Sequence, residues 1–152
     1  MALPNIFTRS VTDGIIDRIN KLQPDTQPKW GKMSVSQMLA HCCVTYEMVY
    51  DNKHPKPGAF TRFLLKAFVK NLVVNEAPYK QNSRTAPAFL ITDPRVFETE
   101  QKRLTDYLNK TEQMGIAHFD NKESNSFGPL TKLEWNNMFY KHLDHHLSQF
   151  GV

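Results

Sequence analysis

The chain has 152 residues, with 19 Lys and Arg against 15 Asp and Glu, a formal charge of +4. That length fits one domain over residues 1–152, large enough to bury a core without disulfides. The basic residues are dispersed, with no Arg/Lys block interleaved with aromatics, which argues against a nucleic-acid partner despite the basic balance. No apolar run is long enough to span a bilayer, and the first residues lack the charged and apolar regions of a signal peptide. The two cysteines, Cys42 and Cys43, are neighbours and poorly placed for a disulfide. They read as small buried apolar residues in a reducing compartment, so a cytoplasmic chain is expected.

Ser10 is a candidate N-cap, and Ile15, Ile16, Ile19 and Leu22 follow at helical spacing, giving a first helix over about 11–22. Pro24 and Pro28 stop it. Ser34 and Gln37 have the capping-box spacing, opening a second helix that runs to about Asn52. Its solvent strip is narrow (Ser36, Glu47, Asp51), so it is expected to pack on several sides. A shorter helix is predicted from Phe60 to Val74. Arg62, Lys66 and Lys70 line one face of it, and the expectation is a helix packed on the domain with that stripe in water, rather than one lying on a membrane.

Residues 75–92 carry Pro78 and Pro87 among polar residues and read as a long irregular connection. Asp93 and Pro94 have the residue types of an N-cap and first turn, and the helix they open should stop at Gly115. A loop over 116–130 follows. Thr131 and Glu134 form a second capping-box pattern before a last helix over about 132–149. No strand is evident. The architecture implied is all-α: a four-helix bundle with a short extra helix inside one long crossover.

Three of the six histidines fall in the last helix. At 3.6 residues per turn, His142 and His146 lie about 40° apart within the arc of Trp135, Phe139, Leu143 and Leu147, while His145 lies at its edge. Two inward imidazoles one turn apart can chelate one transition metal. The alternative is a pair of core histidines hydrogen-bonded to carbonyls or carboxylates. The zinc-protease helix requires Glu directly after the first His, and here Leu143 stands there. His41 lies within the apolar arc of the second helix and is the candidate third ligand; three such residues together favour the metal. His54 and His118 fall in predicted loops and are expected at the surface.

The pattern Trp30-Gly31-Lys32-Met33-Ser34, then Gln37-Met38-Leu39-Ala40-His41, then His142-x-x-x-His146-x-x-Gln149, resembles the DinB/YfiT-like superfamily, and within it a bacterial branch of unknown function. The resemblance spans nearly the whole chain. It implies a four-helix bundle with one crossover, often dimeric, holding a divalent metal on three histidines that match His41, His142 and His146. Relatives in that superfamily include thiol-dependent S-transferases, a mycothiol-dependent isomerase and metal-dependent hydrolases. Many members carry Arg-Gly between the last His and the Gln, where this chain has Leu147-Ser148.

The expected function is therefore that of a small metalloenzyme acting on a small-molecule substrate. Zn²⁺ or Ni²⁺ are the first choices for its metal, with Fe²⁺ or Mn²⁺ also compatible. The reaction would be transfer of a low-molecular-weight thiol, or hydrolysis. Gln37 and Gln149 are candidates to orient the ligands from behind, Tyr46 to position a substrate; no general base is evident. The rival reading is a non-catalytic bundle with a structural His cluster, acting through protein association. DNA binding, suggested only by the superfamily's name, is the third class considered.

Overall fold

The computed structural model describes residues 2–152. Among the described residues there are six α-helices: α1 (Arg9–Asn20), α2 (Val35–Tyr50), α3 (Ala59–Phe68), α4 (Lys70–Val74), α5 (Phe97–Phe119) and α6 (Lys132–Gln149). A two-stranded antiparallel hairpin, β1 (Lys122–Ser124) and β2 (Gly128–Leu130), and a 3-10 turn at Pro87–Phe89 complete the described elements. The chain is mostly helical, 58% of it.

The two capping boxes form as their sequences predict. Ser34 Oγ accepts from the Gln37 N–H while the Gln37 side chain accepts from the Ser34 N–H, and Thr131 and Glu134 repeat the arrangement. Each satisfies two N–H groups that a helix start otherwise leaves without partners. α2 and α6 are the helices that bear the three histidines, so both begin at a fixed residue.

The four long helices share one core. α2 packs on α5 and α6, α1 packs on α5 and α6, and α5 also touches α6. Phe7, Phe119, Trp135 and Phe139 form an aromatic cluster in it, with ring centroids 4.9 to 6.2 Å apart. Burying each such ring stabilises the fold by about 1.5–3 kcal/mol. A polar clamp adds a second tie between α2 and α5. Glu47 accepts from Arg103 and from His54 Nε2 (2.7 Å), and Arg103 also bonds Glu100 at 2.5 Å.

Several sequence expectations are corrected. Glu47 is buried in that clamp rather than on a solvent strip, because α5 supplies a guanidinium to meet it. The fifth helix begins at Phe97, not at Asp93. Asp93 instead pairs with Arg95, and its carbonyl accepts from Gln37. Gly115 does interrupt that helix as expected, since its φ of 73° and ψ of 162° are non-helical, but a further helical turn runs on beyond it to Phe119. The predicted loop over 116–130 contains the hairpin, whose three-residue strands are too short to show alternation. The helix predicted over Phe60–Val74 breaks at Val69 into α3 and α4.

Candidate metal centre

α2 places His41 and α6 places His142 and His146 so that one nitrogen from each lies within 4.8 Å of the others. His41 Nε2 is 2.9 Å from His142 Nε2. The rings are mutually steep, with centroids 4.5 to 4.9 Å apart. His41 and His146 are buried and His142 is half-buried. The i, i+4 pair on α6 faces His41 of α2, and His145 is not part of the group.

The outer nitrogens decide which way the inner ones present their lone pairs. His41 Nδ1 is 2.8 Å from the carbonyl of Phe89, and a carbonyl only accepts, so that nitrogen carries the proton. His146 Nδ1 is 2.8 Å from Gln149 Oε1. The same amide donates through Nε2 to the Trp30 carbonyl at 2.7 Å, which fixes its orientation. Both Nε2 atoms therefore turn a lone pair inward. His142 Nδ1 lies 3.2 Å from Thr45 Oγ1, a hydroxyl that can donate or accept. Without a cation, His142 Nε2–H donates to His41; with Nδ1 protonated toward Thr45, it too turns a lone pair inward.

Electrostatics favour the neutral rings that a cation requires. Burial pushes the pKa of His146 down to about 3, with His41 adding to the effect and the Gln149 hydrogen bond opposing it. Burial also lowers His41 and, more strongly, His142, whose histidine neighbours reinforce the shift. Two imidazole nitrogens on one tetrahedral ion stand roughly 3.3 Å apart. The spacings found here, 2.9 Å at the shortest and 4.8 Å at most, bracket that value. Together with the lone-pair arrangement, this makes the three histidines a group that could hold a metal ion.

Other predicted residues fall elsewhere. Gln37 spends its amide on the α2 cap and on the Asp93 carbonyl (3.3 Å), so it tethers the connection before α5 rather than bonding His41. Tyr46 is buried between Tyr107 and Phe139, ring centroids 5.6 and 5.0 Å away, and makes no hydrogen bond among the described residues. His145 is half-buried between Trp30 and Tyr79 and lines a cleft of about 280 Å³ with them, Tyr140 and Ser148. His54 is half-buried against Glu47. His118 is exposed, but in the last turn of α5 rather than in a loop. Cys42 and Cys43 are buried free thiols, and burial raises Cys43 to about 12, so neither is a thiolate near neutral pH.

Two contributors went unseen in the sequence: the Phe89 carbonyl and Thr45. A backbone carbonyl from a connection 48 residues away leaves no residue-type signal. Thr45 had one, since it stands one turn after His41 on α2, on the ligand's own face.

The fold and site define a helical protein with a three-histidine group between two of its core helices. The chain belongs to the family described as "Protein of unknown function (DUF1569)", which it matches over residues 7–151. No curated protein and no solved structure matches it.

Proposed function

We propose that the chain is a DinB/YfiT-type four-helix bundle whose long crossover carries α3 and α4, and that it is a small divalent-metal-dependent enzyme. His41, His142 and His146 would hold the ion, Zn²⁺ or Ni²⁺ before Fe²⁺ or Mn²⁺. The observation that carries the reading is the locked pair of tautomers: Phe89 and Gln149 hold His41 and His146 with their lone pairs facing a third imidazole. Core histidines that serve only packing have no need for convergent lone pairs, which repel unless a proton or a cation sits between them. A bound divalent ion would supply Lewis acidity, bringing the pKa of a water or thiol toward neutrality.

The chain's own residues do the rest. Gln149, Thr45 and the Phe89 carbonyl orient the ligand rings. The Phe89 ring, with centroids 5.4 Å from His41 and 5.9 Å from His142, covers one side of the group. The cleft of Trp30, Tyr79 and Tyr140 beside His145 offers an apolar wall for a small substrate. The nearest carboxylates are occupied: Glu47 by Arg103 and His54, and Asp144 by Arg18 at 2.8 Å. Hydrolysis normally draws on such a carboxylate as general base. A thiol needs only to lose its own proton, so thiol transfer is the favoured reaction and hydrolysis the second.

Two measurements test this. Titration with Co²⁺ should give one site per chain, lost in His41→Ala and His142→Ala and kept in His145→Ala. Adding a low-molecular-weight thiol to the Co²⁺ form should then produce a sulfur-to-cobalt charge-transfer absorption. Equal losses in His41→Ala and His145→Ala would refute the ligand assignment, and no spectral response to thiol would refute the favoured reaction.

A further inference from the structure

Trp30, Tyr79 and Tyr140 line the cleft of about 280 Å³ beside α6, and His145 stands between the first two. Its ring lies 5.8 Å from that of Trp30 and 5.6 Å from that of Tyr79, edge-on to both, and 5.0 Å from the ring of His146. His145 thus touches both the cleft and the three-histidine group. The cleft is at the small end of ligand pockets, with room for one ring and a short substituent.

What the cleft can hold follows from which of its polar groups are already engaged. Lys141 Nζ bonds the Leu72 carbonyl, the Asn75 carbonyl and Asn75 Oδ1 at 2.7 to 2.9 Å, and it lies 4.6 Å over the Tyr79 ring. An ammonium has three donors, so none is left for an anion. Asp144 pairs with Arg18 at 2.8 Å, and the same guanidinium also bonds Ser148 Oγ and the Val152 carbonyl. A ligand carboxylate would meet no spare cation, and Asp144 and Glu76 would repel it. A ligand ammonium would find Asp144 matched and the Tyr79 face already under a cation.

The neutral groups are unspent. The Trp30 indole N–H, the Tyr140 hydroxyl and both ring nitrogens of His145 make no hydrogen bond among the described residues, and all three side chains are half-buried. The indole donates only, and the hydroxyl and a neutral imidazole can each donate once. Donors set among aromatic walls suit a planar ring that carries an oxygen acceptor.

We infer that this cleft binds an uncharged aromatic molecule bearing a carbonyl-type acceptor, and that His145 selects it by hydrogen-bonding that acceptor. The ligand's role as substrate rests on the metalloenzyme reading: an acceptor bonded to His145 lies one ring away from His146, on the flank of the metal group. Its binding does not need the ion.

Nitrogen-15 NMR on the metal-free full chain tests the cleft apart from the metal. The chain has two tryptophans, and the second is an internal control, since Trp135 is buried and its indole N–H bonds the Lys122 carbonyl. Titration with benzamide should shift the Trp30 indole signal and leave that of Trp135 in place. Benzoate, benzylamine and cyclohexanecarboxamide should each bind more weakly. His145→Leu should weaken benzamide binding roughly three- to tenfold, the loss of one hydrogen bond, and His145→Gln, which keeps a side-chain donor, should restore part of it. Trp30→Phe, followed through the Gly31 N–H, should weaken it in the same direction should His145→Leu fail to fold. A Trp30 signal unmoved by benzamide overturns the inference. So do tighter binding of benzoate or benzylamine, equal binding of cyclohexanecarboxamide, and full affinity in His145→Leu. A chain that refuses metal yet binds benzamide keeps the cleft and loses the metalloenzyme; one that takes up metal and ignores benzamide loses the cleft alone.

Discussion

Gln149→Leu is the sharpest probe of how the site is held. The wild-type amide is buried and bonds at both ends, accepting from His146 Nδ1 at 2.8 Å and donating to the Trp30 carbonyl at 2.7 Å. Leucine approximates its volume and removes both bonds. Each is worth about 0.5–1.5 kcal/mol net, and a buried donor left without a partner costs about 1–3 kcal/mol. In the metal-free protein His146 can recover part of this by changing tautomer, which turns Nε2–H toward the other two rings. A cation reverses that choice, so the loss should be larger in the metal-loaded state. Orienting partners of metal-binding histidines are typically worth 10–100-fold in affinity, or about 1.4–2.7 kcal/mol. Isothermal titration with Zn²⁺ or Ni²⁺ should show that drop, and urea unfolding of the metal-free protein a smaller one. An unchanged metal affinity with a large loss of metal-free stability would mean that Gln149 only ties Trp30 to α6, and would refute the reasoning.

Gly31 should report on the same chain of contacts. Its φ is +83°, and a Cβ there would stand 2.7 Å from Gln149 Nε2. Gly31→Ala should therefore cost roughly 1–2 kcal/mol in backbone strain and weaken metal binding less than Gln149→Leu does; a neutral substitution would contradict the close approach. Phe89→Ala keeps the carbonyl that orients His41 but removes the ring over His41 and His142. Metal release to a chelator should speed up several-fold with little change in equilibrium affinity, and an unchanged release rate would show that the ring covers nothing. Stability of the metal-free protein should depend on acid. His146 takes a proton near 6.5 when unfolded and near 3 when folded, so the unfolded state binds more protons between those values. Its contribution is complete above pH 6.5 and lost as the pH falls toward 3, on the order of 2 kcal/mol between pH 7 and pH 5. Urea midpoints at those two pH values check this, and equal midpoints would contradict it.

What the sequence revealed and what it hid follow from the kind of pattern each feature leaves. Helix starts were legible at Ser34 and Thr131 because a capping box is a local code of two residues three apart. His142 and His146 were legible because helical phase puts them on the apolar arc, and His41 because it shares the apolar arc of the facing helix. Phase reasoning fails where burial is polar. Lys141 and Asn137 sit on the hydrophilic arc of α6, yet both are buried. Lys141 Nζ bonds the Leu72 and Asn75 carbonyls at 2.7 and 2.8 Å, and Asn137 bonds the Val74 carbonyl at 2.9 Å. They satisfy the last carbonyls of α4, so the crossover docks on the face of α6 that looks most like a solvent face. No apolar periodicity reports a contact made of carbonyls and side-chain N–H groups. α3 misleads for the opposite reason: its strongest apolar face is the one left outside, while Glu123 pairs with its Arg62 and Glu134 with Lys70 at the start of α4.

The Trp30-Gly31 pair also gains a physical reason. Trp30 offers its carbonyl to Gln149, and Gly31 adopts a left-handed conformation that leaves room for that amide. The short Trp-Gly stretch before α2 and the His-x-x-x-His-x-x-Gln stretch that ends α6 are therefore parts of one contact. Lys29 N–H adds to it by bonding the Gln149 carbonyl at 2.7 Å.

The central claim is that His41, His142 and His146 hold a divalent ion. Elemental analysis of the protein, purified without a histidine tag and then offered Zn²⁺ and Ni²⁺ in turn, tests it most directly. The account predicts one equivalent of metal per chain in the wild type and none in His41→Ala. A wild-type protein that emerges metal-free and refuses both ions would contradict it, leaving the three histidines as a hydrogen-bonded part of the core.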